Sequence, residues 1–131
     1  MELMIDVDAA NFDGTTPGAT YTVMGEEVGF DLYAAASFVA QVTVHQTPGG
    51  TTPTLDVRIE HSADRASWAT LYDCPQIVAG SGYPKTYVFP FPTPGNASTD
   101  VKAWGRYVRI TYKVGGTTPE WVVTGKIMGK E

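Results

Sequence analysis

Two histidines, one cysteine and fourteen carboxylates are the side chains of this 131-residue chain with the widest chemical reach. Two strands closed into a hairpin by the turn at 47–53 would set His45 near Leu55 and His61 near Val39. That leaves the imidazoles roughly 20 Å apart, too far to share a metal. Cys74 stands between Asp73 and Pro75, and a neighbouring carboxylate raises a thiol pKa instead of activating it. Asp6 with Asp8, or Glu26 with Glu27, offers oxygen ligands for calcium, but no loop has the dense alternating acids of a specific site. No GxSxG, HExxH, P-loop or GxGxxG pattern occurs. The reading is non-enzymatic, with no catalytic residue, metal or cofactor expected.

Nine Lys and Arg against fourteen Asp and Glu give a net charge of −5. Phosphate neutralisation supplies most nucleic-acid affinity, so this balance argues against a nucleic-acid partner. No apolar run approaches the roughly 20 residues of a membrane helix, so no membrane partner is expected. The opening MELMIDVDAANFDG lacks the basic and apolar regions of a signal peptide. Synthesis in a cytoplasm is expected. The charges are also segregated. No Lys or Arg precedes Arg58, whereas Lys102, Arg106, Arg109, Lys113, Lys126 and Lys130 crowd the C-terminal part. Either the two ends lie side by side in one molecule, or an acidic face of one subunit meets a basic face of the next.

Elements able to position these groups are strands. Gly and Pro are frequent (14 and 9), and 15 aromatics (3 Trp, 7 Tyr, 5 Phe) accompany them. Leu3, Ile5 and Val7 alternate with polar residues as a first strand does. Thr20–Met24 and Val28–Tyr33 are weaker candidates, and Ala34–Ala36 stays open. Phe38, Ala40, Val42 and Val44 share one face, as do Leu55, Val57 and Ile59 beyond the Gly-rich turn, which predicts a hairpin. Val108, Ile110, Tyr112 and Val114 followed by Trp121–Met128 predict a second. Gly-Gly-Thr-Thr-Pro stands at both predicted turns, residues 49–53 and 115–119. Ala69–Tyr72 and Tyr83–Phe89 are further strands, and Pro90–Asp100 reads as a long surface loop because proline cannot donate to a ladder. The fold class is therefore all-β: a single domain over 1–131, a two-sheet antiparallel sandwich of jelly-roll form with 8–9 short strands, and residues 1–14 a candidate N-terminal arm.

The run Tyr83–Phe91 (YPKTYVFPF) is apolar beside a proline-rich stretch and needs a cover, for which a second subunit is suited. Its Tyr83, Tyr87, Phe89 and Phe91 are candidate interface residues. Glu2, Met4, Asp6, Asp8 and Phe12 of the N-terminal segment, with Arg106 and Arg109 of the basic part, complete the candidate surface. The same aromatics would also suit a sugar-binding platform.

The stretch Leu55–Asp64 with Trp68 and Leu71 resembles the strand, Ser, Asp, short turn, Trp signature of discoidin-like sandwiches. Gly105-Arg106-Tyr107-Val108-Arg109-Ile110 resembles their penultimate strand. Together with a Gly-Gly-Thr turn before a last strand, the pair is similar to small tailed-phage virion proteins that decorate and cement capsids. The resemblance covers roughly Leu55–Met128. It implies a structural role on the capsid exterior, with the major capsid protein and further copies of the chain as partners and a trimer favoured over a dimer. It also implies that Asp64 caps a turn, that Trp68 plugs an end of the sandwich and that Arg106 and Arg109 face outward. A tail or receptor-binding virion module and a carbohydrate-binding module are the alternatives.

Overall fold

The computed structural model describes residues 2–9, 21–23, 30–32, 35–93 and 103–130, with backbone alone for 2–9, 22–23 and 30. Among these, the chain forms β1 (Glu2–Ala9), β2 (Thr22–Val23), β3 (Phe30–Asp31), β4 (Ser37–Val44), β5 (Gly49–Ser62), β6 (Ala69–Asp73), β7 (Ile77–Val78), β8 (Lys85–Phe91), β9 (Tyr107–Glu120) and β10 (Val123–Lys130). Seven are true strands of five residues or more, and three are two-residue bridges. Sheet A runs β1-β10-β4-β8. Sheet B has β9 and β5 at its centre, with β2 and β3 along one flank and β6 and β7 along the other. Counting each flank as one strand, eight strands follow the jelly-roll order, and every pairing is antiparallel.

Period-two patterning builds the core. Phe38, Ala40, Val42 and Val44 of β4 and Val123 and Ile127 of β10 point inward from sheet A, and all are buried. They meet Leu55, Val57 and Ile59 of β5 and Val108, Ile110 and Val114 of β9 from sheet B. Alternation of this kind buries one face of each sheet and leaves the other in water. Phe91 stacks on Phe38 at 4.5 Å between ring centroids, and Trp104 meets Phe38 edge-on at 4.9 Å.

Neither predicted hairpin forms. β4 pairs with β10 and β8 in sheet A while β5 pairs with β9 in sheet B, so the chain crosses between sheets at 45–48. It crosses back after Glu120. Gly49–Pro53 and Gly115–Pro119 are not turns but the paired ends of β5 and β9, with Thr51 opposite Thr117 and ladder irregularities on both sides of Thr51. Gly50 (φ 95°) and Gly116 (φ 101°) adopt left-handed backbone there, as do Thr52 and Thr118 (both φ 46°). Paired irregularities are how strands turn a sandwich corner. Trp121 is wholly buried just past this corner.

Pro90 and Phe91 lie within β8, which runs past the predicted end of the strand into the predicted loop. Pro90 fits because β8 is an edge strand of sheet A. The rest of that loop from residue 94, and residues 10–14 of the candidate arm, lie outside the described residues. Residues 2–9 of that arm are strand β1, paired along its length with β10.

Candidate functional site

The histidines and Asp64 have structural partners and Cys74 is buried, whereas Glu26, Glu27 and the side chains of Asp6 and Asp8 lie outside the described residues. His45 Nε2 lies 2.6 Å from Thr124 Oγ1 on the outer side of sheet A, and the Gly105 N–H donates to His61 Nδ1 at 2.9 Å in sheet B. The two histidines thus belong to different sheets, and the reason given for their separation, a shared hairpin, does not hold. Cys74 is buried, and burial with the Asp73 charge pushes its thiol up to about 12. Asp64 accepts from the Ala66 and Ser67 N–H groups at 2.8 and 3.0 Å and from Ser62 Oγ at 3.0 Å, holding its carboxyl below the usual range. Among the described residues, no group of three His, Cys, Asp or Glu is placed to hold a metal.

The outer face of sheet B is a mesh of charges closed on itself. Arg109 binds Glu60 with Nε and Nη2 at 2.8 and 2.7 Å, and its guanidinium lies 4.1 Å from the Trp68 ring centre. Trp68 in turn donates its indole N–H to the Arg65 carbonyl at 3.1 Å. Arg58 pairs with Asp73 at 2.6 Å and covers the Tyr21 ring at 3.8 Å. Arg106 forms a two-pronged pair with Asp31 at 3.1 and 2.9 Å. Acids of the N-terminal half thus meet bases of the C-terminal part inside one molecule. The ladders continue that pattern, setting Asp56 opposite Lys113, Asp6 opposite Lys126 and Glu2 opposite Lys130.

The outer face of sheet A is of different character. One row of register partners crosses the whole sheet: Met4, Met128, Val39 and Pro90. The next row holds Asp6, Lys126, Gln41 and Val88. Val88 is 54 % exposed and Met128 36 %; the third large exposed apolar residue among those described, Val78, belongs to sheet B. Val39, Gln41, Lys126 and Met128 line a shallow groove of about 170 Å³ between β4 and β10. A second groove of about 190 Å³, lined by Tyr72, Val88, Phe89, Pro90 and Thr93, lies along β8.

The sequence-based interface residues divide along this line. Glu2, Met4, Asp6 and Asp8 occupy the ladder positions opposite Lys130, Met128, Lys126 and Thr124, which belong to the outward phase of β10. Tyr87 and Phe89 are half-buried against the core and Phe91 is wholly buried, so the expectation for Phe91 is corrected: it is covered by its own chain. The error is one of phase. In β8 the inward residues are the odd-numbered ones, and the exposed ones are Thr86, Val88 and Pro90. Tyr83 is half-buried, its hydroxyl accepting from the Gly80 N–H at 2.8 Å. Arg106 stays half-exposed, whereas Arg109 is largely covered. Phe12 lies outside the described residues. Aromatic content drew attention to β8, while the in-phase triad Thr86, Val88 and Pro90 was the signal to follow.

The edges of sheet A follow from one hydrogen bond. The His45 N–H donates to the Val122 carbonyl at 3.0 Å, continuing the β4–β10 register. Odd-numbered residues of β4 therefore turn their backbone groups to β10, and even-numbered ones to β8. Across the β4–β8 register, which pairs Ala40 with Phe89, the odd residues of β8 face β4. Its even residues face the side on which no strand is paired among the described residues. Pro90 sits in that outward phase and Pro84 and Pro92 flank the strand, leaving Thr86 and Val88 to offer outward N–H groups. Prolines placed this way keep an edge from recruiting another strand.

No family model matches the chain, and no curated protein matches it. A solved chain from work on Bacillus, described as "Bacillus endospore appendages form a novel family of disulfide-linked pili", is similar in structure with a TM-score of 0.39 and 16 % identity. That likeness covers 99 % of this chain and 85 % of the other.

Proposed function

We propose that this chain is a structural virion protein that decorates the head of a tailed phage and stabilises it by bridging capsid subunits. It is made in the host cytoplasm and sits on the capsid exterior as a homo-oligomer. One observation carries the reading: the sandwich is one-sided. Arg58 and Arg109 on the sheet B surface are paired with carboxylates of the same chain, whereas sheet A carries Val88 and Met128, two of the three large apolar residues exposed among those described, on a face crossed by an apolar row. A module built to hold surfaces together needs such a face and no reacting group. The engaged histidines and the suppressed Cys74 thiol fit that role.

Quantitative mass spectrometry of purified particles tests the reading. One copy per major capsid subunit, or a simple fraction of that, is expected. A handful of copies per particle would move the protein to the tail, and absence from particles would overturn both virion assignments. The groove beside Tyr72 and Phe89 favours a second reading, carbohydrate binding, which predicts quenching of aromatic fluorescence on addition of a glycan.

A further inference from the structure

We infer that the outer edge of β1 is a docking edge for an extended, basic segment of a different protein, taken up as a fifth strand of sheet A. The inference rests on the assembly role proposed above and adds how the partner is held.

Among the described residues, β1 is the one edge that is both long and regular. It runs eight residues without Pro, Gly or a shift of register. The other edges are blunted. β8 carries Pro90 between Pro84 and Pro92, and β2 and β3 are two-residue bridges. Pro75 separates β6 from β7, and the β5–β6 ladder is irregular. A regular edge is a template for another strand. Its backbone phase follows from the same His45–Val122 bond. Even-numbered residues of β10 turn their groups to β4, so its odd-numbered ones serve β1. Leu3, Ile5, Val7 and Ala9 answer them. The N–H and C=O groups of Glu2, Met4, Asp6 and Asp8 therefore point to the other side, where no described strand lies.

Charge selects the occupant. Three of those four residues are acids. The β1 of a second copy does not suit, because full antiparallel overlap would set Glu2 opposite Asp8 twice. The segments of this chain outside the described residues hold Lys102 as their one Lys or Arg. What fits is shown by β10, which sets Thr124, Lys126, Met128 and Lys130 opposite Asp8, Asp6, Met4 and Glu2. The occupant repeats that pattern on the other side of β1, with Lys or Arg opposite the acids. Opposite Leu3, Ile5 and Val7, which share the buried phase of β10, it carries apolar residues. Eight residues make an edge of about 26 Å, enough for one such segment.

Amide hydrogen exchange of the full chain, read by NMR, is the test, with a synthetic peptide of the β10 sequence, VTGKIMGK, as the probe. In the free chain the Leu3, Ile5 and Val7 amides should be protected, and those of Met4, Asp6 and Asp8 should exchange freely. Peptide up to about 1 mM, the range of a weak complex, should slow the second set at least about tenfold. The same peptide with Lys126→Glu and Lys130→Glu should not. Met4→Pro removes one outward N–H without changing charge, as Pro90 does in β8, and should abolish the slowing with a near-native melting temperature. If that variant does not fold, the two peptides on the native chain decide. Met4, Asp6 and Asp8 amides already protected without peptide would overturn the docking edge. So would no slowing up to the highest concentration, equal slowing by the Glu peptide, or slowing that survives in folded Met4→Pro. Particle copy number is read separately: a chain abundant in particles whose edge takes no peptide keeps the decoration role and loses the edge. A chain absent from particles whose edge takes the peptide does the reverse.

Discussion

Thr51 stands opposite Thr117 at the centre of a local two-fold relationship between two identical pentapeptides. Around that centre the surroundings of each glycine repeat. A Cβ added to Gly50 would come within 2.4 and 2.6 Å of the Thr118 and Thr117 carbonyl oxygens. One added to Gly116 would come within 2.5 and 2.8 Å of those of Thr52 and Thr51. The repeated Gly-Gly-Thr-Thr-Pro is thus a matched corner, at which the chain enters sheet B from sheet A at β5 and returns to sheet A after β9.

Both glycines combine left-handed backbone with a backbone atom where a Cβ would go, so neither strain can be relieved by moving a flexible side chain. Gly50→Ala and Gly116→Ala should each destabilise by more than about 1 kcal/mol. Because they disturb one corner, the double variant should lose less than the sum of the two. Gly49→Ala, whose Cβ would make an ordinary 3.4 Å contact with Glu120, should cost less. Urea unfolding of the four variants decides it, and strict additivity would show that the two pentapeptides do not act as one unit.

Two Arg–carboxylate pairs should differ in worth although their distances are alike. Arg109 and Glu60 are 19 % and 13 % exposed, and Trp68 covers the guanidinium; Arg106 and Asp31 are 48 % and 41 % exposed. Breaking the covered pair with Arg109→Ala strands a poorly solvated carboxylate and should cost about 2–3 kcal/mol. Arg106→Ala should cost about 1 kcal/mol or less, and that loss should shrink further in salt. Double-mutant cycles at low and high salt measure both. Equal coupling energies for the two pairs would contradict the argument.

What the sequence made legible was which face each residue shows. The alternations in β4, β5 and β9 named most of the core those strands supply, although Thr111, read on the outer side, is buried and Tyr112, read on the inner side, is half-buried. The sandwich followed from the number and spacing of the strands. Partners were not legible. Alternation fixes the side on which Val42 or Val57 is buried but not the neighbouring strand, so β4 and β5 looked like a hairpin although they lie in opposite sheets. Gly-Gly-Thr-Thr-Pro supplies left-handed backbone equally well to a tight turn and to paired irregularities between crossing strands. In the candidate surface, Phe91 was chosen by residue type, and the phase that exposes Val88 and buries Phe91 depends on the β4–β8 register.

That phase has a measurable consequence. Phe91 stacks on Phe38 and meets Tyr72 edge-on at 5.7 Å, so Phe91→Ala opens a cavity in the core and should cost about 3–5 kcal/mol. Val88→Ala, on the exposed side of the same strand, should cost under about 0.5 kcal/mol. Chemical denaturation separates them, and similar midpoints for the two variants would return Phe91 to the surface.

Cys74 should be silent in the folded protein. Its thiol is buried and pushed up to about 12, so little thiolate exists near neutral pH and reagent access is blocked. A disulfide reagent at about pH 8, where an ordinary thiol is partly ionised, should label it only as fast as the protein opens. The labelling rate should therefore rise with urea in step with unfolding. Rapid stoichiometric labelling of the native chain would show that Cys74 is not covered.

Asp64 gives the turn after β5 a defined pH dependence. Backbone N–H groups of Ser67 and Ala66, then the Ser62 hydroxyl, hold its carboxyl below its ordinary value of 3.8, because each hydrogen bond favours the charged form. The unfolded chain offers none of these donors and binds the proton at higher pH. The contribution to stability is therefore fully present above the ordinary carboxylate range, and it is lost as pH falls through that value toward the folded one. Asp64→Asn keeps an acceptor oxygen but carries no charge. At neutral pH it should melt below the native protein, and the gap should close as the solution is made more acid than the carboxylate range. Melting curves of the two proteins across that range provide the check, and a gap independent of pH would show that the Asp64 charge contributes nothing to holding the turn.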